Sequence, residues 1–471
     1  MKSSKKFIYI LLTLMGFSSC SSDDNNLKGD PFVVAFLDRS ANLGEVDFNK
    51  NIEMIYSETA TSDGAVTVDI EVDNAIYGID FTTEPAAVDG KITLQINAGD
   101  NGNGFVFSKL NPDLNEITSM VRFEIETIDY PDADIRGYTS FQLNLDGEAA
   151  FLGGSIAPEV GGPNQQNQIY VDLSGKTSHK IQRDAWDLAF FSKEGFKVGI
   201  NGSIYMAAAE LQETNIDNIS QTDVEDLMPQ VAVGTFDPAN EAYIDYPDGD
   251  INRTAISEIN LDDAQNKVYL LNLGYEVGTE SPVPGSVAIA GSARGWKKIR
   301  ILRSGDGYLL QYAGLNDSSH QEITISKSPG YNATFFSFNS NAVVNVEPEA
   351  DSWDLNFTVF TNIIEDAGSY GFSDGVLHNR KGGVTAYSVT TNQYAYESFS
   401  ASNIIESNFQ QDQRTIGASW REVMNTDKVL IDSIFYIIKD ANGNVYKLKF
   451  TALLNGNGER GFPEFKYELL Q

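Results

Sequence analysis

Cysteine is nearly missing from this sequence: 471 residues include one, Cys20, so no disulfide can form within the chain. Stability must then come from packing and turn geometry. Histidine is almost as rare, with His179, His320 and His378 the full set. That leaves nothing for a Cys-rich zinc site or a Cys/His catalytic pair. Basic charge is scarce too. Lys and Arg total 33 against 66 Asp and Glu, a net charge of −33 that repels phosphate backbones and argues against nucleic acid as a partner. There is no phosphate-cradling Gly-x-x-x-x-Gly-Lys loop and no His-Glu-x-x-His pair, and no carboxylate pair stands in a distinguishing context. The chain reads as a non-enzyme. What it does contain is 41% hydrophobic and 11% aromatic residues, enough for several cores in a chain long enough for about three domains.

Lys2, Lys5 and Lys6 precede an apolar run from Phe7 to Phe17, too short to span a bilayer but of signal-peptide length, and Ser18 and Ser19 lead into Cys20. This order resembles a bacterial lipobox, which implies a signal peptide over residues 1–19 and an acylated Cys20. Residues 20–29, with Asp23, Asp24, Asn25 and Asn26, form an acidic tether. The tether resembles the export tag of surface-exposed lipoproteins; a plain linker facing the periplasm is the alternative. The expectation is an outer-membrane lipoprotein, exposed at the surface, whose only membrane attachment is lipid.

From residue 30 the chain reads as mainly β: an N-terminal β-sandwich over 30–147, a linker over 148–164, and two related antiparallel domains over 165–325 and 326–471. Val66, Val68, Ile70 and Val72 alternate with polar residues, as do Ile92, Leu94 and Ile96, with further alternating runs at Phe123 and Phe141. Asp63-Gly64, Asp89-Gly90 and the stretch Gly99 to Gly104 supply turns. The segment from Tyr77 to Thr83, followed by Ile92 to Gly99, resembles the Calx-beta type of immunoglobulin-like sandwich. Some of that family bind calcium through clustered acids, which points to Asp80, Asp132 and Asp134; ordinary loop acids are the plainer reading.

Self-similarity is the most informative feature. Gln168 to Phe190 and Ala333 to Phe357 both run as alternating strand, polar turn, second strand, then Trp-Asp-Leu-x-Phe. On a strand, Trp186, Leu188 and Phe190 share one face, as do Trp353, Leu355 and Phe357, so each Trp is expected to plug its own unit's core. Asp187 and Asp354 then face away and accept backbone N–H groups. Lys267 to Leu273, Trp296 to Tyr312 and Ser433 to Phe450 read as closing meanders, with Asn442-Gly443 a hairpin signal.

The second unit resembles the HmuY family, haem-capturing surface proteins of mostly β structure. The likeness rests on Phe336-Ser337-Phe338, Val343 to Val346, Trp353-Asp354-Leu355, Lys381 to Val384, and the hairpin Phe435 to Phe450 followed by Phe465-Lys466-Tyr467. The first unit repeats the pattern more loosely. The resemblance implies a haem-binding lipoprotein for iron acquisition that delivers its cargo to a TonB-dependent outer-membrane receptor. The alternative is an adhesion or structural lipoprotein that keeps the fold without haem ligands. Haem iron accepts imidazole nitrogen or thioether sulfur. Met424, after Trp420, holds the place of the family's second axial ligand; the stretch matching the first, Thr385 to Ser402, holds no His or Met. His378 and Met206, in corresponding loops of the two units, are the remaining candidates, ahead of His179, His320 and Met228. Arg380 and Lys381 would meet propionates or stay solvated, and the acidic, tyrosine-rich stretch Tyr243 to Asp250 reads as a binding loop or ordinary surface.

Overall fold

A computed structural model describes residues 31–43, 48–118, 120–145, 152–193, 195–423 and 429–470. Cys20, its leader and tether, and Met424 lie outside the described residues. Strands dominate, and the period-two patterning is why. The N-terminal part packs two five-stranded sheets face to face, one running Phe81–Glu84, Gly102–Lys109, Asn49–Tyr56, Phe32–Phe36, Ala133–Ile135. The other runs Ser40–Asn42, Ser140–Asn144, Met120–Asp129, Gly64–Val72, Lys91–Ile96. Val66 lies opposite Leu94 and Val68 opposite Ile92, all turned inward onto Phe81, Phe107 and Phe123. Burying each such aromatic contributes roughly 1.5–3 kcal/mol.

The three acids suggested for calcium do not meet. Asp80 accepts hydrogen bonds from the Ile76 N–H at 2.8 Å and from Asn111 at 2.9 Å, closing its own turn, while Asp134 pairs with Arg136 at 2.7 Å. Among the described residues no cluster of three or more His, Cys, Asp or Glu is arranged to hold a metal.

Beyond residue 152 the repeat is visible in three dimensions, with the opening hairpins exchanged between copies. The hairpin Asn167–Asp172/Thr177–Gln182 pairs with Leu355–Ile364, the strand of the second Trp-Asp-Leu motif, through Ile169 opposite Phe357. In return, Ala333–Ser337/Ala342–Val344 pairs with Leu188–Phe191, the strand of the first motif, through Phe336 opposite Leu188. The cores follow the exchange. Phe336 and Phe338 are buried with Leu188, Phe190 and Tyr312, whereas Ile169, Val171 and Leu173 are buried with Leu355, Phe357 and Trp420.

Each unit closes with a five-stranded meander. In the first it contains Val268–Asn272, Trp296–Ser304 and Gly307–Ala313; in the second, Ile434–Lys439, Val445–Leu454 and Arg460–Leu469. Gly443 takes a φ of 93°, and the loop is closed by the Asp440 carboxylate, which accepts from the N–H groups of Asn442 and Asn444. The span 148–164 contains a strand, Gly153–Ile156, that adds to the edge of the second meander beside Arg460–Leu469.

The tryptophans depart from expectation. Trp186 and Trp353 precede their strands, which begin at Leu188 and Leu355, and they turn away from the faces that carry those leucines. They join a separate cluster with Tyr170, Phe191, Phe335 and Val346, between the two units. Trp186-Asp187 and Trp353-Asp354 are irregular stretches between the preceding bend and the strand, so strand alternation does not extend back to the tryptophans.

Candidate functional site: a cavity between the two units

Each exchanged hairpin is latched by the other unit's aspartate. Asp187 accepts the Phe338 N–H at 2.6 Å, and its own N–H donates to Phe336 O at 2.8 Å. Asp354 accepts the Leu173 N–H at 2.8 Å, and its N–H donates to Val171 O at 2.8 Å. Two buried asparagines then brace the turns that hold the tryptophans. Asn201 donates to the carbonyls of Arg183 (2.7 Å) and Trp186 (2.8 Å), and Asn379 to those of Ala350 (2.8 Å) and Trp353 (3.0 Å). The indoles rest edge-on against the other unit's hairpin, Trp186 on Phe335 and Trp353 on Tyr170, each at a centroid distance of 4.9 Å.

Between them lies a cavity of about 180 Å³. Trp186 and Met206 from the first unit and Trp353, His378 and Lys381 from the second all line it. So does the stretch Tyr243 to Asp250 through Ile244, Asp245, Tyr246 and Asp250, which places that acidic loop at the site. A neighbouring recess shares Phe191, Gly249, Asp250, Ile251, Asn332 and Lys381 with the cavity, so these residues separate the two.

His378, the last residue of the strand Gly368–His378 rather than part of a loop, is 1% exposed. Burial lowers its pKa to about 4, against a weaker opposite pull from the Gln411 backbone and Asp412. Gln411 lies near enough to favour the charged ring, yet among the described residues neither ring nitrogen has a hydrogen-bond partner in good geometry. The result at neutral pH is an uncharged imidazole. Met206 is fully buried in the first unit's core, beside the Asn201 turn.

Glu347, Asp245 and Lys381 line the cavity with them. Burial raises Glu347 to about 7 and Asp245 to about 6, and lowers Lys381, whose ammonium is favoured by the fields of Glu347 and Asp245. Asp245 accepts the N–H groups of Ile200 (2.8 Å) and Ala255 (2.9 Å). Arg380 is engaged elsewhere: it reaches Asp250 at 3.2 Å and the Asp248 carbonyl at 3.0 Å. That commitment removes it as a free propionate partner.

The other candidates lie apart. His179 is exposed on Thr177–Gln182, His320 is held by Asp217 at 2.9 Å and Glu322 at 3.3 Å, and Met228 packs on a separate cluster. Sequence reasoning missed Asn332, Glu347 and Asn356 on the cavity wall. A weak signal existed for Glu347, an acid directly after the apolar alternation Val344, Val346. Gly371-Phe372-Ser373-Asp374-Gly375 has the spacing of a nucleophile elbow, but it runs along a strand. Its Ser373 hydroxyl contacts Asp374 (2.9 Å) and Arg460 (2.8 Å), with no histidine alongside.

An all-β chain whose repeated units enclose a cavity lined by aromatic and buried polar groups is a ligand-binding protein in architecture. The HmuY protein family model matches residues 164–314 and 330–467, more than half of the chain, and the chain belongs to the HmuY family. That family comprises haem-binding proteins of the cell surface and is not an enzyme family. No curated protein matches the chain. Among solved structures, the apo form of the Calx CBD1 domain aligns at 11% identity over 25% of this chain and 99% of that one, with a TM-score of 0.20. The Calx CBD2 domain aligns at 12% identity over 25% and 88%, with a TM-score of 0.19. Similarity this low carries no functional argument. No helix among the described residues is long and apolar enough to cross a membrane.

Proposed function

We propose that this chain is a lipid-anchored surface protein that captures a small molecule in the cavity between its two units and passes it to an uptake system in the outer membrane. Haem is the cargo that the family and the site's imidazole point to. One observation carries the reading: His378 and Met206, two of the three iron-ligand candidates, come from different units and line the same cavity, with His378 uncharged and unpartnered among the described residues. A neutral imidazole presents a lone pair to iron without first losing a proton.

Size is the opposing fact. Sites for drug-sized ligands span roughly 300–1,000 Å³, and this cavity has about 180 Å³. A porphyrin therefore needs the wall of Phe191, Gly249, Asp250, Ile251, Asn332 and Lys381 to yield, joining the cavity to the recess beside it. The volume favours a second reading, a surface protein that keeps the HmuY fold without holding haem. Titrating the full chain with hemin separates them. Haem capture predicts a shifted Soret band that is lost in His378→Ala, displaced in Met206→Leu, and insensitive to pH above about 5, since His378 titrates near 4. An unshifted band removes haem as cargo, and a shift that survives His378→Ala removes this site.

A further inference from the structure

Residues 244–262 contain neither helix nor strand. Stretches without regular structure longer than about 12–15 residues are uncommon in compact domains, and those that occur often serve as lids or binding loops. This one has a closed neck. Its base is fixed in the first unit: Asp245 accepts the N–H groups of Ile200 and Ala255, tying the two ends together, and Ile256 and Ile259 are buried in that unit's core. Its tip is braced against itself. The Tyr246 N–H donates to Arg253 O at 2.8 Å, and the Arg253 guanidinium lies 3.2 Å from the centre of the Tyr246 ring while reaching Asp248 at 3.0 Å.

The tip rests on the second unit through Gln413 and Arg380. Gln413 donates from its side chain to Pro247 O at 2.9 Å and from its backbone to Asp248 O at 3.1 Å, while Arg380 reaches Asp248 O at 3.0 Å and the Asp250 carboxylate at 3.2 Å. Ile251 adds an apolar contact, half-buried against the aromatic cluster between the units. The Arg380–Asp250 pair is open to solvent, with side chains 20% and 28% exposed, and pairs of that kind contribute little net stability. What this clasp holds in place is the wall itself, since Gly249, Asp250 and Ile251 stand between the cavity and the recess beside it. The recess is also charged against the trend of the chain. Lys193, Arg380 and Lys381 line it with a single acid, Asp250, in a sequence of 66 acids and 33 bases.

We propose that residues 246–253 are the gate of the cavity, held closed by Asp248 and Asp250 on the Arg380 guanidinium, and that a carboxylate of the cargo takes their place on Arg380 as the gate swings away. The braced tip moves as one piece about the neck at Asp245 and Ala255. One carboxylate replaces another, so the guanidinium is never left without a partner, and Lys193 and Lys381 stand beside it for a further acidic group. The arrangement selects an apolar ring that carries carboxylates, which haem does through its propionates. This rests on the reading of the cavity as the haem site and names what controls access to it.

Stopped-flow Soret measurements with hemin on the full chain test it. A Cβ on Gly249 would lie 3.1 Å from Gln413 Cγ, within reach of a disulfide, so Gly249→Cys/Gln413→Cys in a Cys20→Ser background bolts the tip to the second unit. Once oxidised, this variant should take up hemin about a hundredfold more slowly than Gly249→Ser/Gln413→Ser in the same background. That control carries the same strain at a φ of 80° without the bond. Arg380→Gln, which loosens the clasp and removes the cargo's partner, should raise the association and dissociation rates together, each about fivefold. Hemin dimethyl ester, which has no carboxylate, should load into the unmodified chain more slowly than hemin, and the difference should narrow in Arg380→Gln. Equal loading of hemin and its ester overturns the carboxylate swap. Equal rates for the bolted and serine variants, with a His378-dependent band in the unmodified chain, overturn the gate and leave haem capture standing. If no hemin binds, haem capture falls and amide exchange on the ligand-free chain decides the gate. Deprotection of residues 246–253 in Arg380→Gln, with Gly368–His378 unchanged, supports it over a site for another cargo, and equal protection overturns it.

Discussion

Asp187 and Asp354 hold the same place in the two copies, each accepting the backbone N–H that follows the other copy's hairpin strand. Their surroundings differ. Asp187 pairs with Arg294 at 2.6 Å, both side chains almost wholly buried, whereas among the described residues no basic side chain pairs with Asp354. Burial, with Asp172 and Asp440 nearby, pushes Asp354 well above the usual carboxylate range, and the Leu173 N–H opposes the rise. What the copies share is the acceptor, not the charge. The tryptophans show the same divergence: Trp186 donates to Gln168 at 2.9 Å, while the buried indole N–H of Trp353 has no partner among the described residues. The first unit's latch is satisfied from within, and the second unit supplies the unsatisfied groups.

The largest expected effect is at the ion-paired latch. Asp187→Ala strands the Arg294 guanidinium and the Phe338 N–H in a buried setting and should cost about 3–5 kcal/mol in urea unfolding. A loss below about 1 kcal/mol would mean the pair is not buried in solution. Next, Phe336→Ala removes a fully buried ring that the second unit places in the first unit's core, with about 3–4 kcal/mol expected in the same measurement.

Asp354→Asn sharpens the comparison through pH. A carboxyl whose folded pKa lies above its unfolded value binds the extra proton in the native state, so its stabilising contribution is present at low pH and is lost as pH rises through the folded pKa. The Asn variant keeps the acceptor for Leu173 and has no proton to lose. Its stability relative to the unmodified chain should therefore rise from acid toward neutral pH, where it becomes the more stable of the two. Asp187→Asn should instead be the less stable at neutral pH, and identical profiles for the two variants would erase the distinction. The smallest effect belongs to His179→Ala, an exposed position off the cavity, expected within about 0.5 kcal/mol of the unmodified protein and without effect on ligand titrations.

Much of this fold was legible because period-two alternation states directly which face of a strand is buried, as at Val66, Val68, Ile92 and Leu94. The same rule could not reveal the exchange. The hairpins at Gln168 and Ala333 carry nearly the same pattern, so either fits either partner strand, and alternation fixes facing without fixing the neighbour. Trp186 and Trp353 were misplaced by extending strand geometry into the irregular residues before Leu188 and Leu355. At the site, His378, Met206 and the stretch Tyr243 to Asp250 could be singled out by residue type and composition. Asn332 and Asn356 could not, and Glu347 only weakly, because a polar residue near a strand end looks like solvated loop until the strand it faces is known.

The two units complete each other's cores and so enclose one shared cavity. Hydrogen exchange mass spectrometry on Phe336→Ala reads this locally, since protection is lost where packing is lost. The exchange predicts that the substitution, made in the second unit, deprotects Leu188–Phe191 and Val268–Asn272 in the first. Loss confined to residues 330–470, with Leu188–Phe191 as protected as before, would contradict it.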